Sequence, residues 1–230
     1  MAISPEISFE PVTDDSDMIR LAEIKSVALG ESPIMSLIFP RNPDGKENHQ
    51  IRANEHIQSM REDETARYVK ATDVQSGKIV GWANWRFFED PAKPLIPSRR
   101  EWDPPANIAL GKYFFGALEE RRRESMKGEK YFLMAILMTL PGYQRNGIGG
   151  KLLEWGLEQA DEKGYRCWID SSPEGSGLYK KHGWEEIGFS DVDLADWGGE
   201  QGVLYRTVHL VRKPKERVER VKTDAPQKVL

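Results

Sequence analysis

A single cysteine, Cys167, stands in 230 residues, so no intrachain disulfide can form and a reducing compartment fits. Basic charge is not in excess either. Lys and Arg number 33 against 37 Asp and Glu, a formal net of −4. Proteins that coat nucleic acid neutralise many phosphates with a basic face, and that class is excluded. The longest apolar run, residues 132–138, is far too short to span a bilayer and reads as a buried strand. The opening residues show no basic segment followed by an apolar one, so no secretory leader is expected. No self-similarity recurs at periods of roughly 20–50 residues, which excludes solenoids and propellers. What is present is 39% hydrophobic residues, 10% of the chain aromatic, enough for a packed core in one generous domain. These features predict a soluble cytoplasmic protein without nucleic-acid or membrane partners.

Turn chemistry and periodicity divide the chain. A strand is expected over 7–12 and a helix over 17–29, with Thr13, Asp14 and Asp15 supplying the N-terminal cap. Residues 30–50, with Pro33, Pro40 and Pro43, read as loops, and a polar helix follows at about 48–61. A hairpin is expected from 67–72 and 78–88 around Ser76-Gly77. Pro91, Pro94, Pro97, Pro104 and Pro105 mark an irregular insertion, and 106–127 turns helical. The charge run 119–123 reads as a solvated helix face. A strand covered on both faces is expected at 131–140, then a helix at 147–163 stopped by Gly164. A strand at 167–171, a short helix at 173–182 and strands at 185–189 and 204–211 complete the pattern. A mixed α/β sheet with helices on both faces follows. A single domain over 1–212 is expected, with 89–128 as an insertion and candidate substrate lid and 213–230 as a charged tail.

The segment with chemistry joins strand 131–140 to the next helix through Gln144, Arg145, Asn146, Gly147, Ile148, Gly149 and Gly150. A helix start offers unpaired N–H groups and the positive end of its dipole to an anion. Gly147 and Gly149 let a phosphate approach the backbone, and Arg145 and Lys151 add charge. Two nucleotide loops fail here. A dinucleotide fingerprint needs glycine where Leu152 stands, and a Walker-type loop needs glycine at Arg145. Taken alone, the glycines equally fit tight strand–helix packing.

Gln144-x-x-Gly147-x-Gly149, preceded by Leu137-x-Thr139-x-Pro141 and followed by Leu178-Tyr179-x-x-x-Gly183-Trp184, resembles the GNAT (Gcn5-related N-acetyltransferase) superfamily. The match is strong over about 131–190. It implies a mostly antiparallel sheet whose two central parallel strands splay apart, with pantetheine between them. Backbone groups of Leu137, Met138 and Thr139 would pair with pantetheine as an added strand would. N–H groups of 144–150 would hold the pyrophosphate, with Ser172 also on the coenzyme side. Tyr179 matches the tyrosine that protonates the leaving thiolate, since a phenol of pKa about 10 keeps its proton at neutral pH. Some family members place a glutamate on the strand equivalent to 131–140; this one has no acid there. Asp170 is the candidate base, or else bonds loop N–H groups; Glu89 and Glu119 stand behind it.

The remaining reactive side chains carry less. Cys167 lies in a strand without a supporting histidine and reads as core. His49, His56, His182 and His209 match no zinc spacing, so no metal is expected. Trp82 and Trp85 point to opposite faces of their strand, one toward the core and one toward an acceptor pocket, and Trp102 sits in the candidate lid. The resemblance implies direct transfer of acetyl from acetyl-CoA to a primary amine of a small molecule, by a monomer or homodimer. The alternative is a sensor or scaffold of the same fold that binds acyl-CoA without turnover.

Overall fold

The computed structural model describes residues 5–29, 32–40, 49–91 and 106–215. Trp102, most of the Pro-rich insertion and the tail from 216 lie outside the described residues. Strands β1 (Ile7–Pro11), β2 (Ala66–Asp73), β3 (Lys78–Phe88), β4 (Tyr131–Thr139), β5 (Arg166–Ser171), β6 (Glu185–Asp193) and β7 (Leu204–Arg212) form one sheet in the order β1-β2-β3-β4-β5-β7-β6. Every neighbouring pair is antiparallel except β4 and β5. Strand β7 therefore returns between β5 and the edge strand β6.

Helices cover both faces. Helices α5 (Ile148–Lys163) and α6 (Pro173–Lys181) pack on one side, around Phe132, Met134, Cys167, Ile169, Val208 and Leu210. The opposite side carries α1 (Asp17–Leu29) and α3 (His49–Glu62), which bury Tyr68, Ile79 and Trp82. There too α2 (Pro33–Ile38) packs with α4 (Ile108–Ser125) against Val192 and Leu194. Helix α2 arises within the segment expected to be loop. Pro33 at its first turn needs no backbone donor, and Ile34 and Ile38, four apart, bury one stripe. Trp82 and Trp85 do face opposite sides, but both are wholly buried, so neither lines a pocket. No helix among the described residues is long and apolar enough to cross a membrane.

The closing strand is tied down by charge. Arg212, almost wholly buried, bonds both oxygens of Asp161 on α5 at 2.7 and 2.8 Å, and the Lys215 N–H adds a third bond at 2.8 Å. Burial pushes the Asp161 carboxyl up, but Arg212 and the Lys215 N–H outweigh it and hold the group below its usual range. The folded chain thus takes up this proton at lower pH than the unfolded chain does. The stabilisation is present above about pH 4 and is lost as pH falls through the folded pKa. Thermal midpoints measured from pH 6 down to 3 should show a shallower acid decline in Asp161→Asn than in wild type. Parallel curves would remove this pair from the acid limb.

Candidate active site

Strand β4 pairs with β5 only through Tyr131↔Arg166, Phe132↔Cys167 and Leu133↔Trp168. Beyond that point β4 stays with β3, ending at Gly81↔Thr139, while β5 stays with β7, ending at Ser171↔Val208. The two central strands therefore separate over 134–139 and 169–171, and their facing edges lose each other's backbone bonds. The register of β4 against β3 slips at the same place: Trp85 faces Met134 and Asn84 faces Ile136, leaving Ala135 unpaired. An extra residue of this kind bends its strand, and Ala135 is the exposed residue of an otherwise covered strand.

The N–H of Leu140 donates to the Val80 carbonyl on β3 at 2.9 Å. Backbone groups alternate along a strand, so those of Met138 also turn to β3 and those of Leu137 and Thr139 turn into the gap. The Met138 carbonyl oxygen lies 3.0 Å from where a Gly81 Cβ would stand, on the β3 side. Met138 thus has its backbone engaged, and its side chain packs with the α1–α3 cluster. Of the three residues expected to offer backbone to pantetheine, two face the opening.

The gap runs into a 3-10 turn, Pro141–Tyr143, and then the start of α5. Arg145 (φ 64°) and Gly147 (φ 79°) are both left-handed, a conformation that strains the arginine but not the glycine. Gly147 is the N-cap and provides no side-chain acceptor, so the first N–H groups of the helix, from Ile148 to Gly150, face outward uncapped. Gln144 donates to the Thr139 carbonyl at 3.2 Å, and Asn146 to the carbonyls of Tyr143 and Gln144 at 3.2 and 3.1 Å. These side chains shape the loop from within and leave its outward amides open. A Cβ at Gly149 would stand 3.3 Å from the Leu178 side chain, so this glycine lets α5 and α6 close together. Lys151 is engaged by Glu154 at 2.8 Å, which leaves Arg145 as the loop's unshared cation among the pairs found.

Tyr179 lies on the α5–α6 side over the end of β5; a Cβ on Gly175 would stand 2.9 Å from Ser171 Oγ and 3.5 Å from the Tyr179 ring. Burial alone pushes the phenol well above its ordinary value. Ser172 caps α6, accepting from the Gly175 N–H. Asp170 points to the other face, that of α4. It accepts from His209 Nδ1 at 2.7 Å, and its second oxygen is 4.0 Å from Arg122 Nη1. Acid and base candidates therefore flank the mouth of the gap from opposite faces of the sheet. Glu89 is paired with Lys163 at 2.6 Å, at the end where β4 and β5 are still joined. Cys167 is buried in the core and its thiol is pushed up to about 12 by desolvation, which makes it inert as a nucleophile.

Residues 112–186 match the family model of the acetyltransferase (GNAT) domain. Over that third of the chain the sequence is similar to a GNAT domain. Solved structures share its fold across the length described: arylalkylamine N-acetyltransferase 2 of Aedes aegypti (17% identity, TM-score 0.63, covering 91% of this chain and 100% of that one) is one. A second is a histone acetyltransferase HPA2 and related acetyltransferase from Corynebacterium glutamicum (17%, TM-score 0.58, 94% and 99%). A third is the ribosomal-protein-S18-alanine N-acetyltransferase of Escherichia coli (14%, TM-score 0.52, 94% and 99%). No curated protein sequence matches the chain. The expected parallel pair, its separation and the mostly antiparallel sheet are all in place. Three features were not read from sequence: the unpaired Ala135, the partners of Asp170, and Arg122 as a half-buried neighbour of the site rather than part of a solvated face. A lone alanine in an apolar run carries no bulge signal. His209 and Asp170, 39 positions apart, meet only through strand pairing.

Proposed function

We propose that this protein is an acyl-CoA-dependent N-acyltransferase that moves acetyl from acetyl-CoA directly to a primary amine, in a ternary complex. One observation carries the reading: two parallel strands that part after three residue pairs, with the opened edge leading to an uncapped helix start. An extended pantetheine fits an open strand edge, where Leu137 offers a donor and an acceptor and Thr139 its N–H, the Thr139 carbonyl being taken by Gln144. A pyrophosphate fits the outward amides of the 145–150 turn, where left-handed residues gather N–H groups. Arg145 supports the same charge.

The chemistry then divides between the two faces. Asp170 takes a proton from the ammonium, freeing the nitrogen lone pair to attack the thioester carbonyl carbon. A backbone N–H on the β4 edge steadies the oxyanion of the tetrahedral intermediate. As the C–S bond breaks, the sulfur takes a proton from the Tyr179 hydroxyl, the acylated nitrogen gives up its second proton to solvent, and solvent restores both side chains. A small-molecule amine is the favoured acceptor, in line with the arylalkylamine in the names of two mosquito neighbours.

Thermal unfolding tests the first step. At about a hundred times its dissociation constant acetyl-CoA should stabilise the fold by roughly 2.7 kcal/mol, with NADH and ATP as controls. A shift with acetyl-CoA alone, joined to coenzyme A release with a panel of arylalkylamines and polyamines, supports the enzyme. Binding without release across the panel supports the sensor reading, and a shift only with NADH or ATP ends both.

A further inference from the structure

We propose that His209, oriented by Ser190, is a positioning residue that presents one oxygen of Asp170 to the acceptor amine; this deepens the acyltransferase reading and rests on it. Three neighbouring strands carry the chain of bonds. Ser190 Oγ on β6 is 2.8 Å from His209 Nε2 on β7, and His209 Nδ1 is 2.7 Å from Asp170 Oδ1 on β5. Asp170 and His209 are direct cross-strand partners. On its other side His209 faces Gly188, where β6 shifts register.

The order of donors follows from the groups themselves. An ionised carboxylate can only accept, so Nδ1 carries the hydrogen toward Asp170. A ring that carries its hydrogen on Nδ1 alone has a lone pair on Nε2, which takes the Ser190 O–H. His209 is fully buried, so without partners both nitrogens would be costly; with them the ring has one tautomer and one orientation. The charged neighbours on this face come from α4: Arg122 at 4.0 Å from Asp170 Oδ2, and Arg121, whose Nη1 would lie 3.6 Å from a Gly188 Cβ. Oδ1 is thereby committed to the imidazole and Oδ2 remains for the incoming proton.

The same three residue types in this order also describe a serine nucleophile with its base and orienting acid. Position decides against that reading. Strand β6 lies two strands beyond β5, about 10 Å across the sheet at the usual spacing, whereas Asp170 stands at the gap itself. The working end of this chain is the carboxylate.

Two independent measurements test it. In ¹⁵N-labelled protein, long-range proton–nitrogen spectra should show His209 as the neutral Nδ1–H tautomer, and Asp170→Asn, which removes the obligatory acceptor, should mix or reverse it. An Nε2–H tautomer or an imidazolium at pH 7 in wild type overturns the proposal whatever the activity. In kinetics, His209→Leu should lower kcat about tenfold or more, the scale that misplacing a catalytic group commands. KM for the amine and the acetyl-CoA-induced thermal shift should stay near wild type. His209→Asn, which keeps an N–H donor close to the Nδ1 position, should recover most of the loss, and Ser190→Ala should cost less than His209→Leu. Equal losses in Leu and Asn variants, or an acetyl group found on Ser190 by mass analysis, overturn it. If wild type releases no coenzyme A with any amine, the acyltransferase reading has failed, while the tautomer result stands separately.

Discussion

Gly156→Ala should be among the most damaging single-methyl additions in this chain, lowering stability by about 3 kcal/mol, the upper part of the range for overpacked cores. A Cβ on Gly156 would stand 2.2 Å from Trp85 Cε2 and 2.5 Å from Cδ2. No real Cβ tolerates that approach, and Trp85 has nowhere to go. It is wholly buried between β3 and α5, and its indole N–H reaches the Leu152 carbonyl at 3.4 Å. Relief would require α5 to lift from the sheet, which disturbs the helix whose start forms the turn proposed to hold the pyrophosphate. A midpoint lower by roughly 6–12 °C is expected for a chain of this size. Gly116→Ala is the control. Gly116 is on exposed α4 surface with nothing within 4 Å of an added Cβ, so only helix propensity acts and a small gain is expected. Similar midpoints for the two variants would mean that α5 is not seated on Trp85 as described.

That contrast shows what kind of information the sequence held. The stripe Leu152, Leu153, Gly156, Leu157 and Ala160 marks the buried face of α5, and all five are buried. Which of them touches tryptophan is a matter of pairing across the sheet, invisible along the chain. The same holds at the site. Gly147 and Gly149 announce a turn that welcomes an anion because glycine is demanded locally, by φ at one position and close packing at the other. Tyr179 was legible through its motif. The separation of β4 from β5 was implied by resemblance, but its place, after Leu133, depends on the unpaired Ala135 and on β7 capturing β5. Asp170 drew attention as an acid at a strand end; its histidine and serine come from strands that follow much later. Local demands can be read from sequence, whereas partnerships made by the order β5-β7-β6 cannot.

Tyr179→Phe should lower turnover at least tenfold, and up to about 10⁴-fold, the span over which general acids act. The acetyl-CoA dissociation constant should change little, because the ring that packs against Trp184 and the end of β5 is kept. Burial pushes the phenol above its ordinary value, which looks unfavourable for an acid facing a thiolate. The comparison must be made in the same surroundings. Cys167, in the same layer of the core, shows what burial does to sulfur: its thiol rises to about 12. The same desolvation acts on a thiolate released beside Tyr179, so the tyrosine proton meets a stronger base than a thiolate in water. The raised value has a second consequence. Because ionisation of Tyr179 is pushed further into the alkaline range, it should impose no falling limb on kcat across about pH 7–9. The variant should accordingly lose rate by a similar factor throughout that window. A loss confined to one end of it, or none, would remove Tyr179 from the acid role and leave the leaving thiolate to solvent.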